Sequence, residues 1–402
     1  MLALALALRD RGHDVVFAAP PNFEGWIEAA GVAFHPVGID VQAAVEREFE
    51  KARNPFWVPR FFARLVGDQF DGLEPLCNDG FDIVVGAGGQ IAAHSLAERC
   101  GVPYVYFAYC PTFLRSAYHS PTFFRWQRLP RLLNRVLWAL FCWAGTRATR
   151  APVNAARGRW GLRPLRDIYT YVFEPRHVLL ATDRIIGTFP SDFGGHVDAT
   201  GFLFLRDDAA LPDDLAAFID SGEAPVYLGF GSAPVRGVAA MDQVIARAAE
   251  ATGRRFVVSA GPSGLGSTGL PGSCFVAGTV SHASLFPRMA AVVHHGGAGT
   301  TALAARTGRP QVVVPYSADQ HYWAARVAAI GVGAEPLDHA RLSAERLARR
   351  VERAVGDPRI AEAARDVADR MSRVDGVAAA ADRLEAIVHA SGGILNEARS
   401  NP

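Results

Sequence analysis

Short runs of wholly apolar residues recur along this chain at helix-length intervals, and they leave few folds open. Ile83-Val84-Val85, Tyr104-Val105-Tyr106-Phe107 and Val178-Leu179-Leu180-Ala181 lie in the first half. Val226-Tyr227-Leu228-Gly229, Phe256-Val257-Val258, Phe275-Val276, Ala291-Val292-Val293 and Val312-Val313-Val314-Pro315 lie in the second. A strand with one wet face alternates apolar and polar residues, and these do not. Strands that are apolar on both faces and separated by helical segments build a parallel sheet covered on both sides.

The rhythm starts early. Met1 to Leu8 alternates leucine and alanine as a strand would, but both residues are strong helix formers and Gly12 supplies a stop, so a helix is expected. Strands are expected at Val15–Ala19 and Val32–His35, with helices at Trp26–Ala30 and His94–Arg99. The acidic stretch from Arg206 to Glu223, with Pro212 and Gly222, interrupts the pattern. The expectation is an α/β chain of two Rossmann-like, doubly wound domains facing a cleft: residues 1–205, a connection at 206–222, and residues 223–402. Helices are expected at Ser343–Val355 and from Ile360 to about Ala390, the last packing back on the first domain. Open sheets of this kind hold ligands beyond the carboxyl ends of their strands.

Composition removes several functions. A net charge of +1 gives no reason to expect a nucleic-acid partner. Lys51 is the sole lysine, so no Walker-type Gly-Lys-Ser/Thr exists. The five cysteines are widely spaced and form no Cys-x-x-Cys pair, which fits a reduced, cytoplasmic setting and disfavours zinc. No run has the length and purity of a membrane-spanning helix, and the apolar start lacks the basic leader of a signal peptide.

Three constellations carry chemistry. The strand Ala291–Val293 runs into His294-His295-Gly296-Gly297-Ala298-Gly299-Thr300-Thr301 and then a helix. Glycines admit close backbone approach, and the first helical turn offers unpaired amides at the positive dipole end, which suits a phosphate. A tight turn without ligand is the plain alternative. Asp319-Gln320 follows the next buried strand; a carboxylate beside a carboxamide suits sugar hydroxyls, and a helix cap is the alternative. Gly229-Phe230-Gly231-Ser232 forms a further close-approach turn, or an ordinary strand–helix loop.

These residues resemble the donor-binding region of the family 1 glycosyltransferases, in particular the bacterial branch similar to sterol and glycopeptide-antibiotic glycosyltransferases. Leu285-Phe286-Pro287, the His-His-Gly-Gly-Ala-Gly-Thr-Thr run, the valine strand ending in Pro315, Asp319-Gln320 and Phe230-Gly231-Ser232 carry the resemblance. It implies the GT-B fold and a nucleotide diphosphate sugar, UDP- or TDP-linked, as donor. His295 with the backbone of Gly297, Ala298, Gly299 and Thr300 would hold the diphosphate, and Gly231 and Ser232 would lie near it. Asp319 and Gln320 would hold the sugar; Thr279, Val280 and Ser281 would line the base pocket. No cofactor and no metal are implied. The implied reaction is inverting transfer of a hexose to a hydroxyl of a lipophilic small molecule: a sterol, polyketide or natural-product aglycone.

Inverting transfer needs a base for the acceptor hydroxyl. In the family this is a His or Asp on the loop between the first strand and first helix, and the chain starts inside that helix. The expected base therefore lies before Met1, and an N-terminally shortened chain is expected, with sheet edges left open. A nucleotide-sugar-binding protein without turnover is the second reading, and a sugar-nucleotide epimerase the third. Candidates for the acceptor side are Gln90, His94, Phe113 and Phe124. Residues 113–166 are rich in arginine and aromatic side chains and hold no Asp or Glu. Such a segment forms an acceptor pocket, a solvated packed helix, or a peripheral contact with an anionic membrane.

Overall fold

The computed structural model describes residues 1–40, 57–231, 237–261 and 264–399. The first half runs α1 (Leu2–Asp10), β1 (Val16–Ala19), α2 (Glu24–Ala29), β2 (Ala33–Pro36), α3 (Trp57–Leu73) and β3 (Val84–Ala87). It continues through α4 (Ala93–Cys100), β4 (Tyr104–Ala108), α5 (Arg131–Arg159), α6 (Ile168–Phe173), β5 (His177–Leu180) and β6 (Val197–Ala199). The second half comprises α7 (Asp213–Asp220), β7 (Val226–Gly229), α8 (Val238–Thr252), β8 (Phe256–Ser259), β9 (Cys274–Ala277), α9 (His282–Leu285) and β10 (Ala291–His294). It closes with α10 (Ala298–Arg306), β11 (Gln311–Val313), α11 (Gln320–Ala329), α12 (Ala344–Gly356), α13 (Pro358–Met371) and α14 (Gly376–Arg399).

Every strand pairing is parallel. In the second half the order is β11-β10-β7-β8-β9. The wholly apolar runs explain themselves here. Val226, Leu228, Val258, Val293 and Val312 face Ile245 of α8 and Leu347 and Val351 of α12. Their neighbours Tyr227, Val257 and Val292 face the other way, onto Leu215 and Ile219 of α7 and Ala304 of α10. Successive side chains of a strand point to opposite faces, so two covered faces require two apolar sets.

The first half is built differently. β3-β4-β5-β6 form one sheet and β1-β2 a separate pair. Helix α1 joins them: Leu4 packs with Val105, Phe107 and Leu179, whereas Leu2 and Ala5 pack with Ala19, Ile27 and Val32. Among the described residues, no strand pairs β1 with β3.

Some sequence expectations are corrected. The stretch 206–222, expected as a plain connection, folds in part into α7, with Leu215 and Ile219 buried. Pro212 stands at its N-cap and Asp213 and Asp214 in its first turn, which start a helix. The single helix expected from Ile360 is two, α13 and α14, broken at Ser372–Asp375. Asp375 accepts from the amides of Val377 and Ala378 and so restarts the chain as a helix. Strand β6 and helix α3 were not anticipated from the sequence.

α14 lies on the first half: Ala380, Ala381, Leu384 and Ile387 join Leu4, Val105 and Phe107, and Arg11 donates to Asp382 at 2.7 Å and Glu385 at 2.9 Å. The halves also meet directly. Cys110, Ile186 and Phe202 pack against Tyr322, Trp323 and Val327 of α11. The Tyr322 hydroxyl accepts from the Thr188 amide at 2.7 Å, and Arg326 donates to the Ile186 carbonyl at 2.6 Å. The loops that follow β4 and β5 thus abut the helix that follows β11.

Candidate functional site

The carboxyl ends of β7, β10 and β11 place the chemically distinctive residues together. β10 lies between β7 and β11, with His294 in register with Gly229 and with Val313. The two adjacent histidines then take separate roles. His294 is fully buried; its Nε2 meets Gln311 Oε1 at 2.9 Å and its Nδ1 accepts from the Gly296 amide at 3.0 Å. Burial pushes its imidazolium down to about 3, so the ring is neutral, with Nε2 carrying the proton. Gln311 in turn donates to the Thr301 carbonyl. This chain of bonds pins the glycine-rich turn between β10 and α10.

His295 is the outward partner. Its ring lies against Gly231, where a Cβ would stand 2.9 Å from Cε1. Its Nδ1 is buried without a hydrogen-bond partner, and burial lowers its imidazolium to about 4. An unpaired buried nitrogen costs on the order of 1–3 kcal/mol unless a ligand or water satisfies it. Gly296 has φ +92°, and a Cβ there would meet the Gln320 carbonyl at 3.1 Å, so the glycine-rich turn touches the turn that carries Asp319 and Gln320.

Gly297 caps α10 without a side-chain bond, and the Thr301 amide is the first to bond back, to Gly297 at 2.9 Å. The amides of Ala298, Gly299 and Thr300 precede that bond and are left free in the way helix starts leave them. Glycine-rich turn, open helix start and neutral histidine together make an anion-binding corner.

Across that corner, Asp319 precedes α11. Trp323 Nε1 donates to Asp319 Oδ2 at 2.9 Å, and burial raises the carboxyl above its usual range. The Gln320 Oε1 accepts from the amides of Tyr316 at 2.8 Å and Ser317 at 3.0 Å. Its oxygen therefore shapes its own loop, and its NH2 group is the part left for a ligand. Ala318 adopts φ +52°, the one non-glycine left-handed residue among those described.

The remaining sequence candidates separate. Thr279 is exposed beyond β9; Val280 packs partly on the cluster of Leu285 and Phe286. Ser281 caps α9 and donates to the Asp207 carbonyl at 3.0 Å, so its hydroxyl is already engaged. β9 is three strands from β10, ~14 Å at ordinary strand spacing. Ser232 lies outside the described residues. Gln90 is half-buried in the turn after β3. Phe113 packs at the junction of the two halves, and Phe124 is half-buried in the loop before α5. His94 lies between the rings of Tyr104 at 4.3 Å and Tyr171 at 4.0 Å, and its Nδ1 bonds the Tyr171 carbonyl. It lines a cavity of about 280 Å³ with Pro103, Pro175 and His177, at the amino-terminal ends of β4 and β5. The cleft lies at the opposite ends, so the structure leaves His94 out of it. Sequence reasoning missed Gln311 and Trp323, which bond His294 and Asp319, and Tyr322, which bonds Thr188 across the two halves. The polar Gln311 opening a valine strand and the four-residue spacing of Asp319 and Trp323 were the available signals.

Parallel sheets flanked by helices, with an anion-binding corner at the carboxyl ends of β7, β10 and β11, define an α/β protein of the nucleotide-binding type. A family model described as erythromycin biosynthesis protein CIII-like, C-terminal domain, matches residues 253–387. The chain is 37% identical over 342 residues to a vancomycin aglycone glucosyltransferase of Amycolatopsis orientalis, covering 83% of this chain and 81% of that one. It is 30% identical over 405 residues to a sterol 3-beta-glucosyltransferase of Arabidopsis thaliana, covering 95% of this chain and 64% of that one. The solved glycosyltransferase VinC, in complex with dTDP, superimposes with a TM-score of 0.69 at 20% identity, covering 97% of this chain and 96% of that one. The chain belongs to this family of GT-B glycosyltransferases and is a transferase.

Proposed function

We propose that the chain moves a hexose from a UDP- or TDP-sugar to a hydroxyl of a lipophilic small molecule, a sterol, polyketide or natural-product aglycone, with inversion at the sugar carbon. The observation that carries the reading is the contact between the His294-pinned glycine turn and the Asp319-Gln320 turn. The diphosphate binds the free amides of Ala298, Gly299 and Thr300 and the side chain of His295, with Gly231 and Ser232 beside it. The sugar binds the Asp319 carboxylate and the Gln320 NH2. The base reaches toward Thr279, Val280 and Ser281. The helix dipole and a hydrogen bond from neutral His295 stabilise the leaving diphosphate, a task that a metal performs elsewhere. Gln90, Phe113 and Phe124 line the acceptor side. Residues 206–222 mark the division between acceptor and donor domains. A cytoplasmic place and peripheral membrane contact through residues 113–166 belong to the same reading.

Calorimetric titration with UDP and TDP tests it. Micromolar binding that His295→Ala weakens at least about tenfold is expected, since a hydrogen bond to a charged group contributes about 1.5–3 kcal/mol. Absence of binding to either nucleotide would sink the proposal. A second reading, nucleotide-sugar binding without turnover, draws on the histidines of the first half. His13 is paired with Glu385 of α14 at 2.9 Å, and His94 lines the cavity at the amino-terminal ends of β4 and β5, so neither lies beside the glycine-rich turn and the Asp319-Gln320 turn. Turnover of a bound donor in the presence of an aglycone panel would eliminate this second reading.

A further inference from the structure

α5 buries one face and leaves the opposite one open. Asn134, Trp138, Cys142, Thr149 and Val153 turn inward. Leu132, Val136, Leu140 and Trp143 follow helical spacing on the far side, with Leu132 73% and Trp143 68% exposed. The preceding loop adds Phe123 and Trp126, exposed by 67% and 61%. Scattered exposed apolar residues are ordinary; a contiguous stripe of leucine, phenylalanine and tryptophan marks a binding surface.

The segment that carries this stripe is cationic. Arg128, Arg131, Arg135, Arg147 and Arg150 have no ion pair among the described residues, unlike Arg115, Arg157 and Arg159 of the same segment. The Arg131 guanidinium rests 4.4 Å from the Tyr118 ring centre. No carboxylate occurs between Phe113 and Arg166. Among the described residues, no helix is long and apolar enough to cross a membrane, so this face is suited to lying on a bilayer, not in it. The surface also adjoins the cleft. Arg125 pairs with Asp338 at 3.4 Å, and the His119 ring is 6.2 Å from Tyr322, close to Asp319 and Gln320 in the chain.

We propose that the outer face of α5, with Phe123 and Trp126, docks on an anionic lipid surface and sets the mouth of the cleft against it. The docking itself needs no assumption about the reaction. Its consequence, that a lipophilic acceptor reaches the cleft without crossing water, rests on the function proposed above. Charge decides between lipid and a second copy of the chain as occupant. Two copies joined through this helix would oppose their unpaired arginines, whereas an anionic bilayer neutralises them, roughly fivefold in partitioning for each arginine near the surface.

Vesicle flotation of the full chain provides the test. Vesicles of equal parts phosphatidylcholine and phosphatidylglycerol should carry the protein upward at low salt; phosphatidylcholine alone, or high salt, should not. Leu140→Ser with Trp143→Ser, and separately Arg131→Glu with Arg135→Glu, should each weaken partitioning at least about tenfold. Both pairs are exposed, and unchanged circular dichroism with unchanged UDP and TDP binding would show that the fold and donor site persist. No flotation at low salt, equal flotation by all three proteins, or a dimer in sedimentation velocity that Leu140→Ser/Trp143→Ser dissociates without any flotation would overturn the proposal. Nucleotide binding measured in parallel keeps a failure of docking apart from a failure of the proposed activity.

Discussion

The two halves use the same parts and solve the packing problem in different ways. The second half closes five parallel strands into one sheet, with apolar side chains on both faces meeting α8 and α12 on one side and α7 and α10 on the other. The first half distributes its strands over two sheets and depends on helices to join them. It also depends on buried polar links. Arg157, 1% exposed, donates to Glu98, Ser95, the Tyr171 hydroxyl and the Arg163 carbonyl from the middle of the helical layer. A continuous sheet makes an unbroken wall whose carboxyl ends can present a precise corner. A divided one leaves more of its architecture to side chains from distant positions.

Four measurements would break or sharpen this contrast. Arg157→Ala should have the largest effect, a loss of about 3–5 kcal/mol, because it opens a cavity and leaves the Ser95 and Tyr171 hydroxyls and the Arg163 carbonyl without their donor. Urea unfolding would read it, and a loss below about 1 kcal/mol would remove the claim that polar links hold the first half. Leu215→Ala in α7 should cost about 3 kcal/mol by opening a cavity under the sheet of the second half. If it behaves like a surface change, 206–222 is a mere connection after all.

Acid sensitivity comes next. His294 is held near 3 and His295 near 4 in the fold, against an ordinary value of 6.5. Below 6.5 the unfolded chain takes up protons that the folded chain refuses. Stability should therefore be fully present above that pH and be lost on acidification toward 3, by about 1.4 kcal/mol per pH unit for each histidine. His294→Gln should flatten the dependence of the melting temperature across that window; an unchanged slope would show that the turn is not pinned as described. Arg125→Ala should matter least. Its bridge to Asp338 is 61% and 35% exposed, and solvent screening holds its contribution to less than about 1 kcal/mol. A larger loss would mean the halves are locked by surface charge and not by the Cys110–Trp323 contact.

The arrangement of the glycine-rich turn 294–301 between a buried strand and a helix start was legible in the sequence, because its signals are local. A buried strand, a glycine-rich turn and a helix start fall within one short stretch, and chain connectivity alone brings them together. Asp319 and Gln320 were legible for the same reason, at the end of the next strand. The resemblance pointed to His295 as the phosphate partner, but why it and not His294 turns outward was not legible. His294 and His295 are neighbours in chain and identical in kind, and only the pleat of β10, with Gln311 on one side, turns one inward. His94 misled for a related reason: its place after β3 suggested the cleft, while aromatic packing drew it between Tyr104 and Tyr171. Helix α7 was obscured by an acidic, proline-containing stretch that reads equally as linker or as helix start.

Sequence by itself determined the fold class, the family and the order of the candidate-site turns, since each follows from the period of apolar residues or from contiguous motifs. Only tertiary structure decided how the first half divides its sheets, which face of α5 meets solvent, and which residues of the first half α14 meets where it packs back. Those outcomes depend on contacts between residues hundreds of positions apart, such as Arg11 with Asp382, and no local pattern encodes which distant surface a buried face will find.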